Sequence, residues 1–212
     1  MQMTKLLWLL RPGADSERIH AHLDATPRDE YFTINVRHRS MSRFGRHAAG
    51  WQLLDREPLY QSTEINPVEK YGGISRDYAD LPASLIADPA FVDVVTAWLD
   101  SLPAAPLRFS VHHIRTVAPG APVPEGRHRD GYRYIGMYVA ARHNVQPESG
   151  RTTVWDRITD EVLFDGYLAP GDLIVFDDRA VLHYTSPVEP AGPWPSHRDV
   201  FILTDPDHGE IN

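Results

Sequence analysis

Short runs of β-branched and aromatic residues, separated by Gly, Pro and Asp, fill the second half of this chain. The runs are RFSVHHIRTV, IGMYVAA, TTVW, LIVF and DVFILT. Runs of this length and composition are typical of β-strands, and turn residues at such short intervals leave no room for long helices between them. The pattern therefore predicts an antiparallel sandwich or jelly roll over about residues 106–205.

The first half of the chain has a different pattern. The segment PASLIADPAFVDVVTAWLDSL, residues 82–102, repeats apolar residues at helical spacing and predicts two helices interrupted at an internal Asp-Pro. Residues 14–26 predict another short helix, and the polar, arginine-rich stretch 34–62 predicts a strand followed by an irregular loop. No linker separates the halves, so we expect one domain over residues 1–212. It is mainly β with a helical buttress (α+β), and helical and irregular structure over about 1–105 supports the β-rich core.

Composition limits the partners and the chemistry. The chain has 212 residues and a formal net charge of −8, which gives no general attraction to nucleic acid or anionic membranes. It has no cysteine, which excludes disulfides, thiolate metal sites and cysteine nucleophiles. The N-terminal run LLWLL is too short for a signal-peptide core, and no stretch approaches the roughly 20 apolar residues of a membrane helix. We therefore expect a cytoplasmic protein.

Two histidines and an aspartate bear most directly on function. His128 and Asp130 lie two residues apart in HRDG, so on an extended backbone both side chains project from one face. They precede the predicted strand 135–141, and His183 follows the predicted strand 173–176. If the strand ends converge, two nitrogens and one oxygen would face a metal and leave other positions open, which suits iron(II) that also binds a cosubstrate and dioxygen. The alternative is a solvated His128 and a structural, buried His183.

Arg198 lies 15 residues after His183, at the start of a further predicted strand. A dicarboxylate cosubstrate such as 2-oxoglutarate chelates a metal through its 2-oxo acid end and needs a cation for its distal carboxylate. The guanidinium group offers a bidentate fork for this purpose. The alternative is a surface ion pair with a neighbouring aspartate. The segment Asp177–Arg179 predicts a turn held by a local ion pair, which would also support His183 as an outer hydrogen-bond partner.

The segments around these residues are PVPEGRHRDG, PGDLIVFDDRAVLHYTSPVEP and HRDVFILT, in this order, with RHRSMSRF and YQSTEINPVEKYGGISRDYADL in the first half. Together they resemble the bacterial 2OG-Fe dioxygenase family that includes L-isoleucine dioxygenase. The resemblance implies a double-stranded β-helix (jelly roll, cupin-like) fold, iron held by His128, Asp130 and His183, and 2-oxoglutarate bound by Arg198. It also implies hydroxylation of a free aliphatic amino acid by dioxygen, with succinate and carbon dioxide as coproducts.

A free amino acid needs a cation for its carboxylate and an oxygen acceptor for its ammonium group. The candidates are Arg115 on the strand before the metal motif, Glu125 beside the motif, and Gln61 or Asn66 in YQSTEINP, with Arg39, Arg43 and Arg76 as further candidates. For each of them the alternative is a structural role in a strand or loop.

Two other functions fit the same residues. One is the same oxygenase chemistry on a carrier-bound amino acid, a peptide or another small metabolite. The other is a jelly-roll module that binds a metal or ligand without turnover, although a closed structural site has no use for the cosubstrate cation Arg198. A carboxylate ligand at Asp130 leaves no position for a halide, so hydroxylation is favoured over halogenation, while desaturation and ring closure stay open. The apolar helix face over residues 90–99 serves either core packing or a homodimer interface.

Overall fold

Twelve β-strands and three helices occur in the part of the chain that the computed structural model describes, which is residues 6–48, 50–66, 68, 71–123, 125–193 and 195–205. In chain order they are β1 (Leu7–Leu10), α1 (Ser16–His20), β2 (Arg37–His47), β3 (Gly50–Leu53), β4 (Leu59–Tyr60), β5 (Ser75–Arg76), α2 (Ala83–Ile86), α3 (Pro89–Ser101), β6 (Arg108–Val117), β7 (Tyr134–His143), β8 (Thr152–Asp156), β9 (Val162–Gly166), β10 (Leu173–Asp177), β11 (Val181–Thr185) and β12 (His197–Asp205).

A seven-stranded sheet and a three-stranded sheet build the core. The large sheet has the order β1-β10-β7-β12-β6-β2-β3 and the small sheet the order β11-β8-β9, and all neighbours are antiparallel. Val154 and Val181 of the small sheet pack in one apolar cluster with Ile135 and Phe176 of the large sheet. This is the predicted mainly β jelly roll, and the prediction is confirmed.

The helices cover the other face of the large sheet. The Asp88 side chain accepts a hydrogen bond from the N–H of Ala90 and Pro89 occupies the first turn of α3, so the predicted interruption is a helix start with favourable capping. On its buried side, Phe91 makes an edge-to-face contact with Phe201 of β12, at 5.5 Å between ring centroids. None of the helices in the described ranges is both long and apolar enough to cross a membrane.

The first half of the chain also supplies strands. The strand predicted within residues 34–62 is present as β2, whereas β1 was not predicted. The run LLWLL contributes β1, an edge strand beside β10. The longer β2 pairs with β6 over nine residues, from Arg37 opposite Thr116 to Gly45 opposite Arg108. Its sequence, RHRSMSRFGRH, lacks the apolar alternation typical of strands, and two of its arginines, Arg37 and Arg39, line a cavity.

Candidate active site

The three predicted metal ligands lie together at one end of the jelly roll. His128 precedes β7 and His183 lies in β11, and their backbones pair through two hydrogen bonds, from the N–H of His128 to the carbonyl of His183 at 3.0 Å and back at 2.9 Å. The Nε2 atoms of His128 and His183 lie 3.5 and 3.6 Å from the two carboxylate oxygens of Asp130. One ligand atom from each residue lies within 4.8 Å of the others, so a single metal ion can reach all three.

Hydrogen bonding around His128 fits a metal at this point. Its Nδ1 lies 2.8 Å from the carbonyl oxygen of Gly126. This contact requires the proton on Nδ1, and a neutral ring then directs the Nε2 lone pair at the Asp130 carboxylate. Two electron-rich groups that face each other need a positive charge between them, either a proton or a metal ion. Two imidazole nitrogens and one carboxylate oxygen on one side, with a cavity on the other, are the donor set that iron(II) takes in oxygenases.

Asp178 holds the segment that carries Asp130. Its buried carboxylate accepts hydrogen bonds from the backbone N–H groups of Asp130, Gly131 and Tyr132, at 3.2, 2.6 and 3.0 Å. One of its oxygens also lies 3.9 Å from Nδ1 of His183. Burial, together with the charge on Asp130, raises the pKa of Asp178 to about 7. Asp178 thus fixes the segment that carries Asp130, as outer partners do in metal sites.

The three candidate metal ligands differ in the direction of their pKa shifts. Burial opposes ionisation of Asp130, but the hydrogen bond from His128 and the nearby positive charges lower the pKa of its carboxyl. Burial also acts against the charge on His128, yet the Asp130 carboxylate raises the pKa of that imidazole to about 9. Burial and the charge on His128 lower the pKa of His183 to about 3. The Asp130 carboxylate therefore stabilises one positive charge at this point, which is the proton on His128 in the metal-free protein. A divalent cation would take the place of that proton.

Arg198 is a buried cation in the same cavity. Its side chain on β12 is only 2% exposed and lines the cavity together with the three candidate ligands. Its NH2 group lies 3.7 Å from the Met137 sulfur, Nε has no hydrogen-bond partner, and among the described residues no carboxylate pairs with it. Burial, with the charge on Arg142, lowers the pKa of Arg198 to about 9. Burying a guanidinium group without a counter-ion costs free energy. The side of the cavity that carries Arg198 therefore suits an anionic ligand.

Several of the predicted substrate residues also line the cavity, namely Gln61, Asn66, Glu125, Arg39 and Arg76. The Glu125 carboxylate accepts a hydrogen bond from Nδ2 of Asn66 at 3.2 Å. The Gln61 side-chain oxygen accepts one from the Arg76 guanidinium. The structure therefore places these candidates around one space that also reaches the metal ligands.

Arg115 and Arg43 do not belong to this group. Arg115 lies on the opposite face of the large sheet, where its guanidinium pairs with Asp199 at 2.7 Å and Asp24 at 3.1 Å. The prediction that Arg115 contacts the substrate was wrong because successive residues of β6 alternate between faces, and His112, Ile114 and Thr116 are the ones that line the cavity. Arg43 donates instead to the backbone carbonyls of Glu57 and Pro58.

His112 is a cavity residue that the sequence reasoning missed. The Arg39 guanidinium donates to its Nδ1 at 3.0 Å, which leaves the ring proton on Nε2. Burial, with the charge on Arg39, lowers the pKa of His112 well below its ordinary value. Among the described residues, no hydrogen-bond partner reaches that Nε2 group or the buried Nε groups of Arg39 and Arg76. The alternation in VHHIRT, which places adjacent histidines on opposite faces, was the available signal.

The comparisons with known proteins agree with this geometry. The sequence profile of the family described as 2OG-Fe dioxygenase matches residues 20–204. A bsmA homolog from Methylobium petroleophilum has a similar structure, with a TM-score of 0.79 and 24% identity over 94% of this chain and 87% of that chain. IDO from Bacillus thuringiensis gives a TM-score of 0.71 and 16% identity over 91% and 82% of the two chains.

The Fe(II)/(alpha)ketoglutarate-dependent dioxygenase TqaL gives a TM-score of 0.66 and 15% identity over 98% of this chain and 86% of that chain. At these identities the solved structures establish a shared fold. No curated protein sequence matched the chain. The profile match covers most of the sequence, and the chain therefore belongs to the 2OG-Fe dioxygenase family, whose members use iron(II), 2-oxoglutarate and dioxygen.

Proposed function

We propose that this protein hydroxylates an unactivated C–H bond of a free amino acid, as an iron(II)- and 2-oxoglutarate-dependent dioxygenase of the amino-acid hydroxylase type. In this proposal His128, Asp130 and His183 hold the iron, and Arg198 binds the distal carboxylate of 2-oxoglutarate. The oxygenase chemistry follows from the family. The substrate class depends on one observation. The cavity contains two groups of arginines without carboxylate partners among the described residues, namely Arg198 and the pair Arg39 and Arg76.

The two groups start from strands that are not neighbours in the large sheet. Arg198 lies on β12 opposite Thr116 of β6, whereas Arg39 lies on β2 opposite Ile114 of β6. Adjacent strands are about 4.8 Å apart, so two strand spacings put the backbones of Arg198 and Arg39 on the order of 10 Å apart. A 2-oxoglutarate molecule bound to the metal has only one carboxylate left for an arginine. A second anionic group, supplied by the substrate, fits Arg39 and Arg76.

The cavity also contains an anion. Glu125 is held by Asn66 and lines the cavity together with Arg39 and Arg76. A carboxylate and two guanidinium groups in one cavity complement a small zwitterion, with its carboxylate on the arginines and its ammonium group on Glu125. An α-amino acid carries both charges on one carbon, which makes it the smallest ligand that satisfies this arrangement.

The chain's own residues orient the reactants and exclude water. When bound, iron(II) and 2-oxoglutarate supply dioxygen activation, with succinate and carbon dioxide as the coproducts of substrate oxidation. His128, Asp130 and His183 occupy one side of the metal position and leave the cavity side for cosubstrate and dioxygen. Ile114, Val200 and Ile202 line the cavity between the two arginine groups and keep this region apolar, so the aliphatic part of a substrate displaces water there.

Replacing Arg39 or Arg76 by alanine is expected to raise the KM for the amino acid while leaving the 2-oxoglutarate requirement nearly unchanged. Loss of a hydrogen bond to a charged group costs about 1.5–3 kcal/mol, or roughly 10- to 150-fold in affinity. The measurement is a panel of free amino acids, assayed by mass spectrometry for gain of one oxygen atom. Arg46→Ala is a matched control, since Arg46 is an exposed arginine on the same strand as Arg39.

Two results would contradict the amino-acid proposal. One is an unchanged amino-acid KM in both arginine variants. The other is a panel in which no free amino acid gains oxygen although the protein binds iron(II) and 2-oxoglutarate. The second result would be consistent with oxygenase chemistry, but it would indicate that the substrate is a carrier-bound amino acid or another small metabolite.

A further inference from the structure

A second cluster of metal-ligand side chains lies on the face of the large sheet that α1 covers. It consists of His20 at the end of α1 with His197 and Asp199 on β12. The two histidine Nε2 atoms are 3.1 Å apart, and each lies 3.4 Å from the same carboxylate oxygen, Oδ2 of Asp199. The three ligand atoms thus form a nearly equilateral triangle.

This cluster is separate from the candidate iron centre. Alternate residues of a strand point to opposite faces, and β12 directs Arg198 into the cavity while His197 and Asp199 face the helix side. None of His20, His197 and Asp199 lines the cavity that contains His128, Asp130 and His183. The two groups of ligands therefore lie back to back across the strand that carries Arg198.

The triangle has the dimensions of one face of a zinc coordination tetrahedron. Zinc–ligand bonds of about 2.0–2.1 Å place tetrahedral ligand atoms about 3.3 Å apart, and the three distances here are 3.1, 3.4 and 3.4 Å. A hydrogen bond between the two imidazoles would account for the 3.1 Å contact alone. The NH2 group of Arg115 lies 3.5 Å from Nε2 of His20 and 3.0 Å from Oδ2 of Asp199, which links these two atoms but does not reach His197. A shared cation explains all three distances.

The surroundings of Asp199 orient it as an outer shell orients a metal ligand. The carboxylate is fully buried, and its Oδ1 accepts hydrogen bonds from Nε of Arg115 at 2.7 Å and from Nε2 of His113 at 3.0 Å. Its Oδ2, which also accepts from Arg115 at 3.0 Å, faces the two imidazoles. Such partners fix the direction of a ligand and increase its affinity for the metal.

The local charge balance favours a cation despite the guanidinium of Arg115. Arg115 pairs with both Asp199 and Asp24, so the carboxylates exceed the guanidinium by one negative charge when the imidazoles are neutral. The His20 side chain is 29% exposed, which gives an ion access from solvent. The exposed ring of His143 stacks on His197 at 5.1 Å and on His20 at 6.4 Å between centroids.

We propose that His20, His197 and Asp199 form a second metal site, one that binds Zn²⁺ or a similar divalent transition-metal ion on the face opposite the cavity. Imidazole and carboxylate are suitable ligands for such ions. The proposal goes beyond the proposed function and does not depend on it, because none of the three residues takes part in the oxygenase chemistry.

The test uses the full chain with the candidate iron ligands removed, as a His128→Ala/His183→Ala background, so that the second site is titrated alone. Zn²⁺ is titrated by calorimetry, and Co²⁺ is followed by its visible absorption, which reports coordination geometry. We expect one equivalent of Zn²⁺ to bind. Adding His20→Ala or His197→Ala should weaken binding by more than about tenfold, since loss of even an outer-shell partner costs about 10- to 100-fold. His47→Ala, at an exposed histidine outside the cluster, should leave the affinity unchanged.

Either of two results would overturn the proposal. The first is the absence of Zn²⁺ binding in the background protein. The second is an unchanged affinity in both histidine variants. His20→Gln provides a further ligand deletion of nearly the same size at a partly exposed position, so a folding failure of His197→Ala does not remove the test. Circular dichroism spectra of each variant establish that the fold is retained before titration.

Discussion

His128→Ala and Asp130→Ala are each expected to lower succinate formation by more than about 100-fold, because loss of an outer-shell partner alone already costs about 10- to 100-fold in metal affinity. Both side chains are partly exposed to the cavity, and their main interactions are with each other and with His183. Because Asp130 raises the pKa of His128 and His128 lowers that of Asp130, either replacement also lowers the free energy of unfolding of the metal-free protein, but we expect the fold to be retained. Succinate is measured in the presence of iron(II), 2-oxoglutarate and dioxygen, and stability is measured by urea denaturation.

Control variants separate loss of the metal from general damage. His47→Ala removes an exposed histidine elsewhere on β2 and should retain full turnover. Asp178→Asn keeps the size of the side chain that holds the Asp130 segment but removes its charge, so an intermediate loss is expected. Full turnover in either His128→Ala or Asp130→Ala would contradict the assignment of the iron ligands.

Arg198→Ala is expected to raise the 2-oxoglutarate concentration needed for half-maximal turnover by roughly 30-fold or more. Removing one partner of a buried, hydrogen-bonded charge pair costs about 2–5 kcal/mol, which corresponds to that range. The effect should be specific to the cosubstrate, so the KM for the amino acid should move much less. The measurement is succinate formation at varied 2-oxoglutarate and saturating substrate.

A cosubstrate analogue isolates the contact. The monocarboxylate 2-oxovalerate has the same 2-oxo acid end but lacks the distal carboxylate. Wild-type protein should prefer 2-oxoglutarate strongly, and Arg198→Ala should lose most of that preference. If the variant discriminates between the two as well as the wild type does, Arg198 is not the residue that binds the distal carboxylate.

Much of the fold follows from local patterns. The strand runs after residue 107 and the Asp-Pro break before α3 depend on short-range preferences that tertiary contacts reinforce, and the structure has both. The ligands came from spacing: His128 and Asp130 share a face because they are two residues apart, and the pairing of His128 with His183 brings the third ligand to them.

The features that local patterns leave undecided depend on long-range contacts. β2 carries arginines at positions that a strand in a simple sandwich would fill with apolar residues, and only its pairing with β6 makes them cavity residues. Most residues of β6 are buried, whichever face of the sheet they lie on. The sequence therefore gives the alternation of His112, His113 and Arg115 but does not indicate which face lines the cavity. That ambiguity put Arg115 in the predicted substrate site and left His112 out.

The most direct test of the central claim is an anaerobic titration of the metal-free protein with iron(II) and 2-oxoglutarate, followed by visible absorption. If His128, Asp130 and His183 hold iron with positions left for the 2-oxo acid, the wild-type protein gives a weak charge-transfer band, and His128→Ala gives none. A wild-type protein that gives no such band at saturating iron(II) and 2-oxoglutarate would contradict the account.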